Sequence, residues 1–389
     1  MSEYEALDFY AMDELLSDEQ RLIRDTVRQF VSEKCLPIIE GHQAAGTFPT
    51  ELIAPMAELG MLGANLPEEY GCAGLASSTY GIIMQELERG DSGLRSFVSV
   101  QGALAMYPIY EFGSEEQRRE WLPRMASGEV IGCFGLTEPD AGSDPGAMRT
   151  TAVKDGDDWI INGVKMWITN GTMAKIAIIW AQTADGISGF IVPTDVDGFQ
   201  AIEVKGKYSL RASDTAELVL EDVRVPHSAR LPESGGLRSP LMCLNQARYG
   251  ISWGGIGAAQ ACFDEALRYA KARQAFGKPI AQTQLMQELL TEIASEITKA
   301  QVLCWRLGQL KDAGKALPEQ ISMAKRNNIE MARNTARRCR EILGGNGILD
   351  EYQAFRHMVN LESVYTYEGT HQIHTLIVGH ALTGLPAFG

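Results

Sequence analysis

Apolar residues recur at helical spacing over the first third of the chain, alternate with polar ones through the middle, and return to helical spacing towards the end. From about residue 15 to 128 the period is that of amphipathic helices. Ser17 stands three residues before Gln20, the spacing at which a serine side chain accepts from a free amide and starts a helix. PTELIAPMAELGMLG (49–63) is helical in period and ends at glycine. Further on, WIINGVKMWITNG (159–171) places Asn162-Gly163 between two β-rich runs, which predicts strand, tight turn, strand. IAIIWAQT (176–183), GFIVPT (189–194) and TAELVLEDVRVP (215–226) read as further short strands. Beyond 238, Leu285, Leu289, Ile293 and Ile297 are spaced by four and predict one buried helix face. FGKP (276–279) predicts a helix stop, LPEQ (317–320) a start with Pro318 in the first turn, and LGGNG (343–347) an end. The expected class is α+β, mostly α. A helical N-terminal domain (1–128) precedes a small β barrel or sandwich (129–237), and a four-helix bundle (238–389) follows.

Composition narrows the functions. The 389 residues are 45% hydrophobic and 22% charged, ordinary values for a globular protein. No apolar run approaches the ~18 residues of a membrane span. The formal charge of −15 repels phosphate backbones and argues against nucleic acid. One basic run, AKRNNIEMARNTARRCR (324–340), opposes that trend and reads as a solvated or subunit-facing helix surface. The seven cysteines are scattered, with no zinc spacing, which suggests reduced thiols. The first residues carry neither a signal-peptide core nor an Arg-rich presequence, so the expected location is cytoplasmic, with a mature mitochondrial matrix form as the alternative.

Chemistry concentrates in YTYEGTHQIH (365–374), which holds Glu368, His371 and His374. Glu-x-x-His is the spacing of carboxylate-bridged di-iron bundles, but such sites need two of these motifs and the chain has one. No metal is expected, and both histidines read as ordinary polar helix residues. GGIGAAQA (254–261) lacks the last glycine of a dinucleotide fingerprint and its downstream acid, so its glycines read as close helix packing. CFGLTEPDAGSD (133–144) reads as a polar loop at the entry to the β domain.

That loop resembles the flavin-binding signature of the acyl-CoA dehydrogenases. PEEYG (67–71), WITNG (167–171), ARQAFGKPIAQTQ (272–284), EILGGNG (341–347) and YEGTHQIH (367–374) are similar to further motifs of the family, in order, from about residue 15 to the C-terminus. The resemblance implies FAD, an α–β–α subunit, usually a homotetramer, and an electron-transferring flavoprotein as acceptor. It implies that Phe134, Gly135, Leu136, Thr137 and Ser143 hold the isoalloxazine and nearby substrate. Trp167, Ile168 and Thr169 would lie against the flavin. Arg273, Phe276 and Gln284 would meet the pyrophosphate and adenosine end across a subunit interface, with Leu343, Gly344, Gly345, Thr370 and Gln372 also at FAD. Glu368 matches the catalytic base, and burial is what would raise its pKa towards working pH. Asn245 and Arg248 match the lining of the pantetheine channel, and Gly369 belongs with the substrate contacts.

DSGLRSFVSVQ (91–101) is similar to the segment with which the glutaryl-CoA subgroup grips its substrate's distal carboxylate. The resemblance assigns Arg95 to that carboxylate, with Ser96 and Ser99 completing its hydrogen bonds, and Glu88 and Tyr367 as the polar pair of the decarboxylating enzymes. An Asp91–Arg95 helix-surface pair, spaced i,i+4, is the plainer alternative for Arg95. Tyr365 and Gln372 depart from the subgroup's pattern.

Overall fold

Ser17 starts the first helix, as its spacing predicts: its hydroxyl accepts from the Gln20 amide at 3.2 Å while the Gln20 side chain accepts from the Ser17 amide at 3.1 Å. The computed structural model describes residues 4–387. The N-terminal helices are α1 (Asp18–Phe30), α2 (Leu36–Ala45), α3 (Ile53–Glu58), α4 (Ser77–Gly90), α5 (Ser92–Ser99), α6 (Tyr107–Phe112) and α7 (Glu115–Ala126). A π-helical turn, Val31–Cys35, joins α1 to α2, and another, Val100–Met106, joins α5 to α6. Asp91 separates α4 from α5 and caps the second by accepting from the Gly93 amide at 2.7 Å.

The middle of the chain forms a seven-stranded sheet: β1 (Gly132–Gly135), β2 (Thr151–Asp155), β3 (Asp158–Thr169), β4 (Ile176–Thr183), β5 (Gly186–Pro193), β6 (Phe199–Glu203) and β7 (Thr215–Pro226). Its order is β1-β4-β2-β3-β7-β6, with β5 also paired to β4. The predicted turn at Asn162-Gly163 is not there. β3 runs through it, and the hairpin lies six residues earlier, where Asp155 pairs with Asp158 across Gly156 and Asp157. Gly156 has φ +63°, the backbone that the first position of a two-residue hairpin demands, so Gly156-Asp157 was the turn signal. Asn162 instead marks a register shift against β7, where its side chain exchanges two hydrogen bonds with Asp222, at 3.0 and 2.8 Å.

The C-terminal part consists of α8 (Arg238–Ala272), a short hairpin of β8 (Gln274–Ala275) and β9 (Lys278–Pro279), α9 (Gln284–Asp312), α10 (Pro318–Ile342), α11 (Ala354–Val364) and α12 (His371–Thr383). FGKP therefore belongs to the hairpin and not to the helix stop, since α8 has already ended at Ala272. Pro318 opens α10 as expected. On α9, Ile293 and Ile297 are buried and Leu289 packs against the core, but Leu285 is exposed because the first turn overhangs the bundle. One hydrophobic core runs continuously from α1, α4 and α5 into α8, α9 and α10. A separate cluster fills the inside of the sheet.

Helix α8 is the spine, and its glycines let α4 approach. An added Cβ at Gly257 would lie 1.8 Å from the Gln85 carbonyl oxygen, and one at Gly254 would lie 2.0 Å from Glu88 Oε2. GGIGAAQA is thus a packing surface, as its failed fingerprint suggested. It also presses Glu88 into position. Gly257→Ala is expected to force the two helices apart and destabilise the protein by about 1–3 kcal/mol, the usual cost of overpacking. A denaturant midpoint against Gly379→Ala, where an added Cβ meets nothing within 4 Å, checks this. The control should be unchanged or gain up to about 1 kcal/mol from helix propensity.

Candidate active site

The turn between α11 and α12 carries Glu368, and its backbone is unusual. Glu368 has φ +53° and Gly369 φ +94°. A left-handed glutamate costs about 1–2 kcal/mol, so something must hold it. Three consecutive carbonyls are held by two cations. Lys325, from α10, donates to the carbonyl of Tyr367 in a very short contact and to that of Gly369 at 2.7 Å. Arg248, from α8, donates from Nε to the Glu368 carbonyl at 2.8 Å and from Nη1 to Asn245 Oδ1 at 3.2 Å. Gly369 has no room for a side chain: a Cβ would lie 2.9 Å from His374 Nε2. Thr370 caps α12, its hydroxyl accepting from the Ile373 amide at 3.1 Å.

The Glu368 carboxyl turns inward. Its Oε2 is buried and has no hydrogen-bond partner among the described residues. Burial raises its pKa above the ordinary carboxylate value, while the charges of Arg95, Lys325 and Arg248 oppose the rise. Burial likewise lowers Lys325, and the Glu368 charge works against it. A carboxylate that is dry, partly uncompensated and close to three cations is suited to accept a proton from carbon.

Arg95 and Glu88, both fully buried, face this carboxyl. Arg95 Nε donates to Glu88 Oε2 at 2.7 Å, and Ser92 donates to Glu88 Oε1 at 2.8 Å. Arg95 Nη2 donates to the Tyr367 hydroxyl, which lies 3.3 Å from Ser96 Oγ. The Asp91–Arg95 pair does not form. Asp91 is the N-cap of α5, and its carboxylate is engaged by the Gly93 amide and by Asn360 at 2.9 Å, with Arg356 Nε 3.1 Å away, so Arg95 turns to Glu88 instead. Beside this network Arg95 Nη1 is buried without a partner among the described residues, and the buried Ser99 and Tyr80 hydroxyls lie against one another. Orphaned buried donors are costly and mark a place where a polar ligand belongs.

The residues expected at a flavin divide into two groups. In the first, Phe134, Gly135 and Leu136 are buried on and after β1, Thr137 is half-buried and Ser143 is exposed. Trp167 stands out at a β3 bulge with φ +63° and 60% exposure, while Ile168 is buried and Thr169 half-buried beside it. Bulges re-aim side chains in this way. Beneath the loop lies a buried pair: Lys165 donates to the Leu136 carbonyl at 3.1 Å and to Glu138 Oε1 at 2.8 Å. Burial pushes Glu138 up, but hydrogen bonds from the Arg149 amide, Lys165 and Thr150 outweigh it and bring the carboxyl down to about 2. In the second group, at the C-terminal end of α8, Arg273, Phe276, Gln284, Gly344 and Gly345 are all exposed, with Leu343 buried beneath. Added Cβ atoms at Gly344 and Gly345 would meet nothing within 4 Å, so the chain leaves a smooth open surface there. Gln372 is exposed on α12.

Two expectations need correction. His374 is not an ordinary polar helix residue: it is buried against the Glu368–Gly369 backbone, and burial with the Lys325 and Arg248 charges lowers its pKa to about 2. His371 stacks on Tyr365 at 4.6 Å. Among the described residues, no three His, Cys, Asp or Glu gather as metal ligands. The basic run is not solvated throughout, because Lys325 points inward. Lys325, Tyr80 and Lys165 were missed. The only signal for Lys325 was its place on the inner face of α10, one turn from Asn328.

Residues 17–129, 133–223 and 234–383 match, in order, the N-terminal, middle and C-terminal domains of acyl-CoA dehydrogenase. The chain belongs to the acyl-CoA dehydrogenases. It is similar to a glutaryl-CoA dehydrogenase from Mycobacterium smegmatis, solved in complex with FADH2, at 53% identity, with both chains covered in full and a TM-score of 0.98. A solved glutaryl-coenzyme A dehydrogenase–glutaryl-CoA complex is 34% identical over 95% of this chain and 96% of that one, TM-score 0.91. The mitochondrial short-chain specific acyl-CoA dehydrogenase of Bos taurus is 38% identical over 94% of this chain and 91% of its own length. This acyl-CoA dehydrogenase is thus a flavoenzyme that uses FAD. The exposed Trp167 face and the open glycine surface fit that large, flat, polar-tailed cofactor. Among the described residues, no helix is long and apolar enough to cross a membrane.

The Glu138–Lys165 pair generates a pH prediction. A carboxyl held below its ordinary value of 4.5 stabilises the fold above that pH, and the stabilisation is lost as pH falls towards about 2. Glu138→Gln is expected to cost on the order of 3 kcal/mol at pH 7, because Lys165 then lies buried without its counter-charge. Melting curves should show the gap between variant and wild type narrowing between pH 4.5 and 2. A gap independent of pH would contradict the assignment.

Proposed function

We propose that the enzyme oxidises glutaryl-CoA and decarboxylates the product to crotonyl-CoA and CO2, in the breakdown of lysine, tryptophan and aromatic compounds, passing its electrons to an electron-transferring flavoprotein. The observation that carries this reading is a trio of buried polar groups within electrostatic reach of Glu368: Arg95 Nη1, which has no partner among the described residues, and the Ser99 and Tyr80 hydroxyls, which lie against one another. A five-carbon acyl chain anchored at Glu368 by its α-carbon presents a distal carboxylate to such a trio. A four-carbon acyl chain would leave Arg95 Nη1 dry and unpaired, which is costly.

In this reading Glu368 removes the α-proton. Its amide stabilises the thioester oxygen, which lowers the proton's pKa. Asn245, Arg248 and Gly369 line the thioester and pantetheine side. FAD, when bound, accepts the β-hydrogen as hydride and serves as the electron sink. Phe134 to Thr137, Ser143 and Trp167 to Thr169 would hold its ring system. Arg273, Phe276, Gln284, Leu343 to Gly345, Thr370 and Gln372 would hold its pyrophosphate and adenosine end across the interface of a homotetramer, with the N-terminus of α12 as an anion-favouring pole. Loss of CO2 breaks the bond from the γ-carbon to the carboxylate. The electron pair delocalises into the thioester, and protonated Glu368 returns its proton to the terminal carbon. Glu88 already neutralises Arg95, so the substrate carboxylate meets an anion as well as a cation. That repulsion favours departure of the charge as neutral CO2.

Arg95→Met tests the assignment. With glutaryl-CoA, kcat/KM should fall by about 10²–10³, the loss of a charge-assisted contact of 2.7–4 kcal/mol. With butyryl-CoA it should fall less than about tenfold. Equal losses on both substrates would remove the carboxylate role. Mass analysis of the wild-type reaction with glutaryl-CoA and an artificial acceptor should yield crotonyl-CoA. Glutaconyl-CoA as the sole product would restrict the function to oxidation.

A further inference from the structure

The basic run on α10 has two faces. Arg333 and Arg338 pair outward with Glu362 and Glu292, each at 2.7–2.8 Å, and Arg326 Nε donates to Thr375 on α12 at 2.8 Å. Lys325 faces the other way and is buried. One turn further on, Asn328 donates to the Ser252 carbonyl of α8 at 2.9 Å, so this side of α10 is fixed against the spine. The Lys325 ammonium touches no carboxylate. It spends its hydrogen bonds on the carbonyls either side of Glu368, while Arg248 takes the carbonyl of Glu368 itself.

We propose that Lys325 is the positioning residue of the base: by holding the Tyr367 and Gly369 carbonyls it keeps residue 368 left-handed with its carboxyl inward, and its positive charge sets the basicity of that carboxyl. The inference rests on Glu368 being the base. Two arguments support it. Without a cation, carbonyls 367 and 369 would be buried acceptors beside a carboxylate, an arrangement that both desolvation and repulsion oppose. The backbone at 368 would then relax towards the right-handed or extended region and carry the carboxyl away. The second argument is electrostatic. The charged and titratable groups around Glu368 are Arg248 from α8, Lys325 from α10, Arg95 from α5, Glu88 and Tyr80 from α4, His374 from α12 and Tyr367 from its own turn. His374 is neutral, so Arg95, Arg248 and Lys325 alone offset the carboxyl's burial. Removing one of them leaves burial less opposed, and the carboxyl holds its proton to higher pH.

The sign follows. The base works only when deprotonated, so activity is lost as pH falls through its pKa. A higher pKa moves that acid limb to higher pH. In the FAD-loaded holoenzyme, Lys325→Met is expected to move the acid limb of kcat/KM up by about one pH unit. It should lower kcat by about 10² through misplacement of the base, with KM changed less than about threefold and flavin absorbance per subunit unchanged. Lys325→Arg keeps the charge and should leave the limb at its wild-type position with much of kcat restored. Lys325→Gln, which donates to one carbonyl without charge, should fold where the methionine variant does not and should show the same limb shift. An acid limb at the wild-type pH in the methionine or glutamine variant, with flavin bound, overturns the proposal, as does a loss confined to KM or to flavin content. Glu368→Gln is measured in parallel: retained turnover there refutes the base itself, whereas its inactivity with an unmoved limb in the Lys325 variants refutes only the positioning role.

Discussion

The site depends on a buried excess of positive charge gathered around one turn of backbone. Lys325 and Arg248 converge on three successive carbonyls, and Arg95 approaches from a third helix. Each cation is far from bulk water and is tolerable only because the others' partners lie within the same few residues. The arrangement forces α5, α8, α10 and the α11–α12 turn to meet at one point. The bundle's glycine-mediated contacts serve that meeting: α8 approaches α4 closely enough at Gly254 to touch Glu88, which in turn fixes Arg95. A core substitution that spread α4 from α8 would therefore be felt at the acyl tail before it was felt at the base.

The two ends of the pocket are built on opposite principles. At Glu368 the backbone is satisfied and the side chain is left wanting, so the carboxyl is reactive. At Arg95 the side chain is largely satisfied by Glu88 and Tyr367, and a single nitrogen is left open. Glu88 leaves Arg95 half-neutralised, with one donor free for a further polar group.

Much of this was legible in the chain, and the failures have physical causes. The succession of helix, strand and helix follows from apolar periodicity, because each element buries one face. The capping pair Ser17–Gln20 and the start at Pro318 are local and were read directly. The turn at Asn162-Gly163 was misread because the dipeptide also suits a bulge, while Gly156 held the real hairpin. The Asp91–Arg95 pairing failed because the Asp91 carboxylate is taken up by the Gly93 amide, Asn360 and Arg356, which leaves Arg95 to Glu88, seven residues back. Lys325 was hidden in a run of cations whose other members do face outward. Nothing in one sequence says which of several basic residues turns in when its targets are backbone carbonyls forty residues away. The flavin and base positions were assigned only through the ordered family motifs, since exposed residues such as Trp167 and Arg273 have no periodic signature.

The most direct test of the account is proton transfer without oxidation. A 3-thiaglutaryl thioester of coenzyme A has an acidic α-carbon and no β C–H to lose. Deuterated at the α-carbon and incubated with the flavin-loaded enzyme, it should lose deuterium to water in wild type and retain it with Glu368→Gln, at equal flavin content. Equal washout in the two proteins would show that another group takes the proton, and the role given to the dry carboxyl would be wrong.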